Sequence, residues 1–157
     1  MIDNSGKFYE WADRRIIALL ENMDGELFTK PVPGVDRSVR DMAEHLIVYY
    51  DYFLKKDKVE FLAMQENLKG MNKQALLEHW KNAVGEFARG VNNFPEDPVE
   101  VQDKKKGKVK VTKEEYLLLY MDHATYHRGQ MITLYKAATG SEAVNTDYYE
   151  FLISQKN

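Results

Sequence analysis

Thr112-Lys-Glu-Glu-Tyr-Leu-Leu-Leu-Tyr-Met-Asp-His-Ala-Thr-Tyr-His-Arg-Gly-Gln130 is the stretch that decides how this chain is read. Thr112 with Glu115 three residues later is a capping box, in which a hydroxyl and a carboxylate satisfy free N–H groups at a helix start. No proline interrupts the residues that follow, and the helix is predicted to run to about Ala138, with Thr139-Gly140 as its exit. Inside it, His123 and His127 stand four apart. Residues at that spacing share one helix face, so both imidazoles can point at one metal ion. The same spacing also fits two surface residues with no common partner.

Working outward, the same reasoning finds three more long helices. Residues 4 to 23 place Phe8, Trp11, Ala12, Ile16, Leu19, Leu20 and Met23 three and four apart. Asp24-Gly25 stops this helix, and Lys30-Pro-Val-Pro-Gly34 reads as a connector. Ser38 is placed to cap a second helix running to about Leu54, with Met42, His45, Leu46, Tyr49 and Phe53 along one stripe. Lys55-Lys-Asp-Lys58 breaks it, and Val59 to Leu68 forms a further short helix ended by Lys69-Gly70. Asn72 caps the third long helix, whose apolar face is Leu76, Leu77, Trp80, Val84, Phe87, Ala88 and Val91. Asn92-Asn-Phe-Pro-Glu-Asp-Pro98 ends it. A short closing helix is expected between Asn145 and Gln155, packed through Tyr148, Phe151 and Leu152.

Residues 99 to 111 differ. Val99-Glu-Val-Gln and Lys108-Val-Lys-Val111 alternate around Lys104-Lys-Lys-Gly107, which predicts a β-hairpin with a basic tip. Six lysines lie between 104 and 113. No aromatic residues interleave with them as a nucleic-acid groove would require. The hairpin is therefore read as a solvated element whose lysines discourage edge pairing. The fold class that results is all-α: a four-helix bundle with a short β-hairpin inserted before the last long helix, taken as one domain over residues 1–157.

The chain has 157 residues, of which 44% are hydrophobic and 30% charged, enough for one sizeable core in a soluble protein. Its net charge of −3 argues against a nucleic-acid partner. There is no cysteine, which excludes disulfides, thiolate metal ligands and a cysteine nucleophile. The N-terminal residues lack a signal-peptide pattern, and the apolar run His45 to Leu54 is too short to span a bilayer. A cytoplasmic location is expected.

Any metal must then sit on histidine, carboxylate or water. A catalytic site usually combines three protein ligands with one open position. Of the two other histidines, His79 lies beside Trp80 with Glu78 and Lys81 around it, and reads as a flank residue. His45 lies on the apolar stripe of the second helix. A core histidine needs partners for its ring nitrogens. A backbone carbonyl is one such partner; a metal shared with His123 and His127 is another.

At this point the chain resembles the DinB/YfiT-like metal-binding four-helix bundles. The resemblance rests on Ser38-Val-Arg-Asp-Met-Ala-Glu-His45, on His123-Ala-Thr-Tyr-His-Arg-Gly-Gln130, and on the order of elements along nearly the whole chain. It implies a three-histidine site for a divalent metal, often zinc or nickel, with His45, His123 and His127 as ligands, in proteins that are commonly homodimers. It says less about the reaction. Some relatives transfer low-molecular-weight thiols, others look like metal-dependent hydrolases, and many have no assigned reaction.

Three neutral imidazoles leave a divalent ion its full charge. Such a centre lowers the pKa of bound water to about 7, and it can equally favour a thiol's deprotonated form. Tyr49 and Tyr120, each one turn from a candidate ligand, are candidates to line a substrate pocket, although core packing explains them as well. Gln130, three residues past His127, is expected to hold a histidine ring from behind. Arg128 is expected to pair with Asp41 or Glu44 on a neighbouring helix. Gly129, costly inside a helix by about 1 kcal/mol against alanine, suggests a close helix–helix approach. Asp122 and Glu44 adjoin His123 and His45 but project about 100° away around their helices, so no general base is evident. The expected function is a metal-dependent transferase that activates a small thiol. The alternatives are a small-molecule hydrolase and a non-catalytic metal- or ligand-binding stress protein.

Overall fold

A computed structural model of the chain describes residues 5–55, 58–94, 98–103 and 105–156. The elements in order are α1 (Ser5–Glu21), α2 (Gly25–Thr29), α3 (Val39–Lys55), α4 (Lys58–Lys69), α5 (Lys73–Asn93), β1 (Val99–Asp103), β2 (Gly107–Val111), α6 (Lys113–Thr139) and α7 (Tyr148–Ser154). The fold is all-α with one small antiparallel hairpin before the last long helix, as the sequence predicts. Of the expected features, residue 4 at the start of the first helix, residues 56 and 57 in the lysine break, Pro95-Glu-Asp97 in the third helix's exit, and Lys104 in the hairpin tip lie outside the described residues.

The capping residues act where the sequence places them. Thr112 Oγ1 accepts from Glu115 N at 3.2 Å, and Glu115 Oε2 accepts from Thr112 N at 2.8 Å. Gly140, with φ of 69°, closes the far end of α6 in the left-handed conformation, its N–H donating to the Lys136 carbonyl. Asn72 accepts from Ala75 N at the start of α5. Ser38 and Asp41 bind reciprocally at the start of α3, where Asp41 Oδ2 accepts from Ser38 N at 2.8 Å and Ser38 Oγ accepts from Asp41 N at 3.1 Å. The sequence reading missed α2. Asp24, taken only as a stop, caps this five-residue helix by accepting from Glu26 N and Leu27 N. A helix that short has no periodic pattern to betray it.

The four long helices form a closed ring of neighbours, with α1 on α5, α5 on α3, α3 on α6 and α6 on α1. The core between them holds the apolar stripes of each helix, with Trp80, Phe53, Phe87, Ile16 and Leu46 among its fully buried side chains. Phe53 is a node of this core. Its ring lies 4.8 Å from Phe87, 4.8 Å from Tyr120 and 5.3 Å from Phe94, tying α3, α5 and α6 together. The hairpin pairs Val99 with Val111 and Val101 with Val109, so its valines share one face. Val99 is fully buried, while Lys108 reaches across to Glu100 at 2.7 Å in solvent.

The close helix approach that Gly129 suggested occurs elsewhere. A Cβ on Gly6 would overlap the Ala88 carbonyl, so α1 and α5 meet backbone to backbone there. Around Gly129 nothing lies within 4 Å of where a Cβ would stand, and the residue is exposed.

Candidate metal centre

Two neighbouring helices of the bundle bring three histidines to one point. His45 comes from the second turn of α3, whose start is fixed by the Ser38 cap. His123 and His127 come from successive turns of α6. His45 Nε2 lies 3.3 Å from His123 Nε2 and 3.0 Å from His127 Nε2. The three ligand atoms fall within 4.8 Å of one another, and among the described residues no carboxylate joins them.

This donor set fits a divalent cation. Nitrogen ligands about 2.0–2.1 Å from a tetrahedral ion stand about 3.3–3.4 Å apart, and ligands at right angles about 3.0 Å apart. The two separations from His45, 3.3 and 3.0 Å, fall in this range. The cluster could therefore hold a metal ion.

The protonation states agree with that use. Burial lowers the pKa of His45 to about 4, helped by the nearby His127, His123 and Arg37. Burial also lowers His123, with His127 adding to it. His127 is lowered by burial and by Arg37, although its bond to Gln130 pulls the other way. All three rings are neutral at neutral pH, so each has a lone pair to offer. His127 Nδ1 stands 2.7 Å from Gln130 Oε1. The amide oxygen can only accept, so Nδ1 carries the proton and Nε2 carries the lone pair that faces His45.

The two tyrosines meet this centre through their rings. Tyr49 stacks on His123 with centroids 3.9 Å apart and planes at 18°, and Tyr120 stacks behind Tyr49 at 4.3 Å. The Tyr49 hydroxyl reaches the Leu119 carbonyl at 3.4 Å, away from the histidines. Tyr120 is buried and lines a cleft shared with the hairpin. Burial raises both phenols well above their ordinary range, so neither serves as a base.

Arg128 pairs differently from the sequence expectation. Asp41 is taken by Ser38, and Glu44 by Arg40 at 2.7 Å. Arg128 instead turns into the core toward Asp13 of α1, Nη1 to Oδ1 at 3.5 Å. Its guanidinium also lies over the Tyr9 and Phe8 rings, at 4.5 and 4.9 Å, and donates to Thr125 at 3.2 Å. Trp80 Nε1 donates to the other Asp13 oxygen at 2.9 Å. Burial pushes the Asp13 carboxyl up, against the pull of Arg128. The Tyr50 hydroxyl is buried beside the same carboxylate without a hydrogen bond of good geometry. This network braces α1, α5 and α6, and among the described residues none of its hydrogen bonds reaches the three histidines. His79 is also elsewhere, its Nε2 2.9 Å from Asp51 Oδ2.

Two clefts lie beside this part of the bundle, and of the three histidines only His45 lines either of them. One, of about 550 Å³, is lined by Arg37, Met42, Tyr126, Gln130 and neighbours. The other, of about 250 Å³, is lined by Arg37, Glu44, His45 and Gln65 among others. A larger cleft of about 640 Å³ lies between α6 and the segment before α7, and no histidine lines it. Arg37 is the residue sequence reasoning missed. It sits in a connector, where periodicity carries no signal.

A profile described as the DinB family matches residues 1–157. The chain is 25% identical over 169 aligned positions to Protein DinB of Bacillus subtilis strain 168, covering 99% of this chain and 98% of that protein. No solved structure matches. With its full length matched to that profile, the chain belongs to the DinB family.

Proposed function

We propose that His45, His123 and His127 hold one divalent metal ion, zinc or nickel, in an enzyme that activates a low-molecular-weight thiol for transfer to an electrophile. The observation that carries this reading is the convergence of three neutral Nε2 atoms, one of them with its tautomer held by Gln130. The ion would supply Lewis acidity that favours the deprotonated form of a thiol at neutral pH. The residues supply the rest. His45, His123 and His127 would hold the ion, and the Tyr49 ring walls one side of His123. In the transfer, a sulfur–carbon bond forms, the thiol proton passes to solvent, and the leaving group departs with its electron pair.

Transfer is preferred to hydrolysis because hydrolysis draws on a positioned base. Among the described residues no carboxylate joins the cluster, and Tyr49 and Tyr120 hold their protons. We further read the chain as one domain that works as a cytoplasmic homodimer on a small-molecule substrate. Among the described residues, no helix is long and apolar enough to cross a membrane. Exposed Leu118, Leu119 and Tyr126 share one side of α6, and such a stripe suits a partner surface.

The reaction is tested by following thiol consumption with an electrophilic acceptor, beside ester hydrolysis, each with and without added zinc or nickel. Metal-dependent thiol consumption that His127→Ala abolishes is the expected result. Hydrolysis alone, or no turnover in either assay, would overturn the transferase reading.

A further inference from the structure

We propose that Arg37 is the anion-binding residue of the histidine site, so that the small molecule presented to the histidines carries a carboxylate or a group of like charge. The proposal rests on the metal reading above and names the substrate class for that same site.

Arg37 is held in place by its backbone. The Val32 N–H donates to the Arg37 carbonyl at 3.0 Å, closing a turn in which Gly34 and Asp36 both take positive φ, 83° and 52°. A non-glycine residue in that region is uncommon and marks a turn fixed by its surroundings. The next residue, Ser38, is buried and caps α3, the helix that carries His45. The Arg37 backbone is therefore fixed next to the start of α3, with its side chain exposed.

Its placement is particular. Arg37 lines two clefts, one that includes His45 itself and one that includes Gln130, the residue bonded to His127. The neighbouring cations are occupied. Arg40 binds Glu44 and the Leu68 carbonyl, and Lys69 binds Glu66 at 2.6 Å. Among the described residues, no hydrogen bond or ion pair engages the Arg37 guanidinium. A planar fork of donors beside a centre that carries no ligand charge of its own matches a carboxylate in shape and sign. It would hold the charged end of a ligand whose thiol faces the histidine cluster.

The test uses cobalt-loaded protein titrated with mercaptopropionate and with mercaptoethanol, followed by the sulfur-to-cobalt absorption band. The readout is the change in the ratio of the two affinities between variant and wild type, which cancels differences between the thiols themselves. In Arg37→Ala the preference for the carboxylate thiol is expected to fall about fivefold at low ionic strength, the scale of an exposed ion pair. Added salt should shrink the wild-type preference, and Arg37→Lys should keep part of it. An unchanged ratio in Arg37→Ala, with a normal cobalt spectrum, would overturn the role of Arg37 alone. Absence of a cobalt spectrum in the wild type would overturn the metal reading, and this inference with it.

Discussion

His127 Nδ1 lies 2.7 Å from Gln130 Oε1, within one turn of the same helix. That contact decides which nitrogen of His127 faces His45. Loss of such a partner typically costs 10–100-fold in metal affinity, at an order of magnitude. Gln130→Ala is therefore expected to weaken zinc binding about tenfold in competition against a chelator. Gln130→Glu, which keeps the acceptor, should bind at least as tightly as the wild type. Unchanged affinity in Gln130→Ala would remove Gln130 from the site.

Arg128 and Asp13 make a separable case. The pair is buried, with side chains 2% and 0% exposed, and Trp80 shares the carboxylate. Removing one partner leaves a charge in the core, which costs about 3–5 kcal/mol. Arg128→Met is expected to lower unfolding stability on that scale, while Asp13→Asn with Arg128→Met recovers part of it. Zinc affinity of the folded variant should stay near the wild-type value, because among the described residues none of the network's hydrogen bonds reaches the histidines. A large loss of zinc affinity without loss of stability would reverse this assignment.

Two glycines on the bundle should respond with opposite signs. Gly6→Ala puts a methyl against the Ala88 carbonyl, and overpacking of that kind costs about 1–3 kcal/mol. Gly129→Ala meets open space within this chain, so it should gain up to about 1 kcal/mol from helix propensity. Thermal melts of both variants at several protein concentrations check this. Destabilisation by Gly129→Ala that grows on dilution would instead place a second copy of the chain against α6.

Much of this was legible because local rules and packing agree. The Thr112 box, the Asn72 cap and the Ser38 start set the helix ends, and valines at alternate positions marked the hairpin. His45 stood out as a polar residue on an apolar stripe. Asp13 did not stand out, because Glu10, Arg14 and Arg15 around it make it read as one more solvated charge. Its partner Arg128 lies 115 residues away, and nothing local announces the pairing. Arg37 was hidden for a related reason. Its role comes from where a turn holds it, not from a repeat in the sequence.

The central claim is that three histidines hold one divalent ion. Its most direct measurement is zinc titration of metal-free protein by calorimetry, for the wild type and for His45→Ala, the ligand from the separate helix. One zinc ion per chain in the wild type, with affinity lowered at least about a hundredfold in His45→Ala, is the expected result. Stoichiometry well below one, or an isotherm unchanged by His45→Ala, would contradict it.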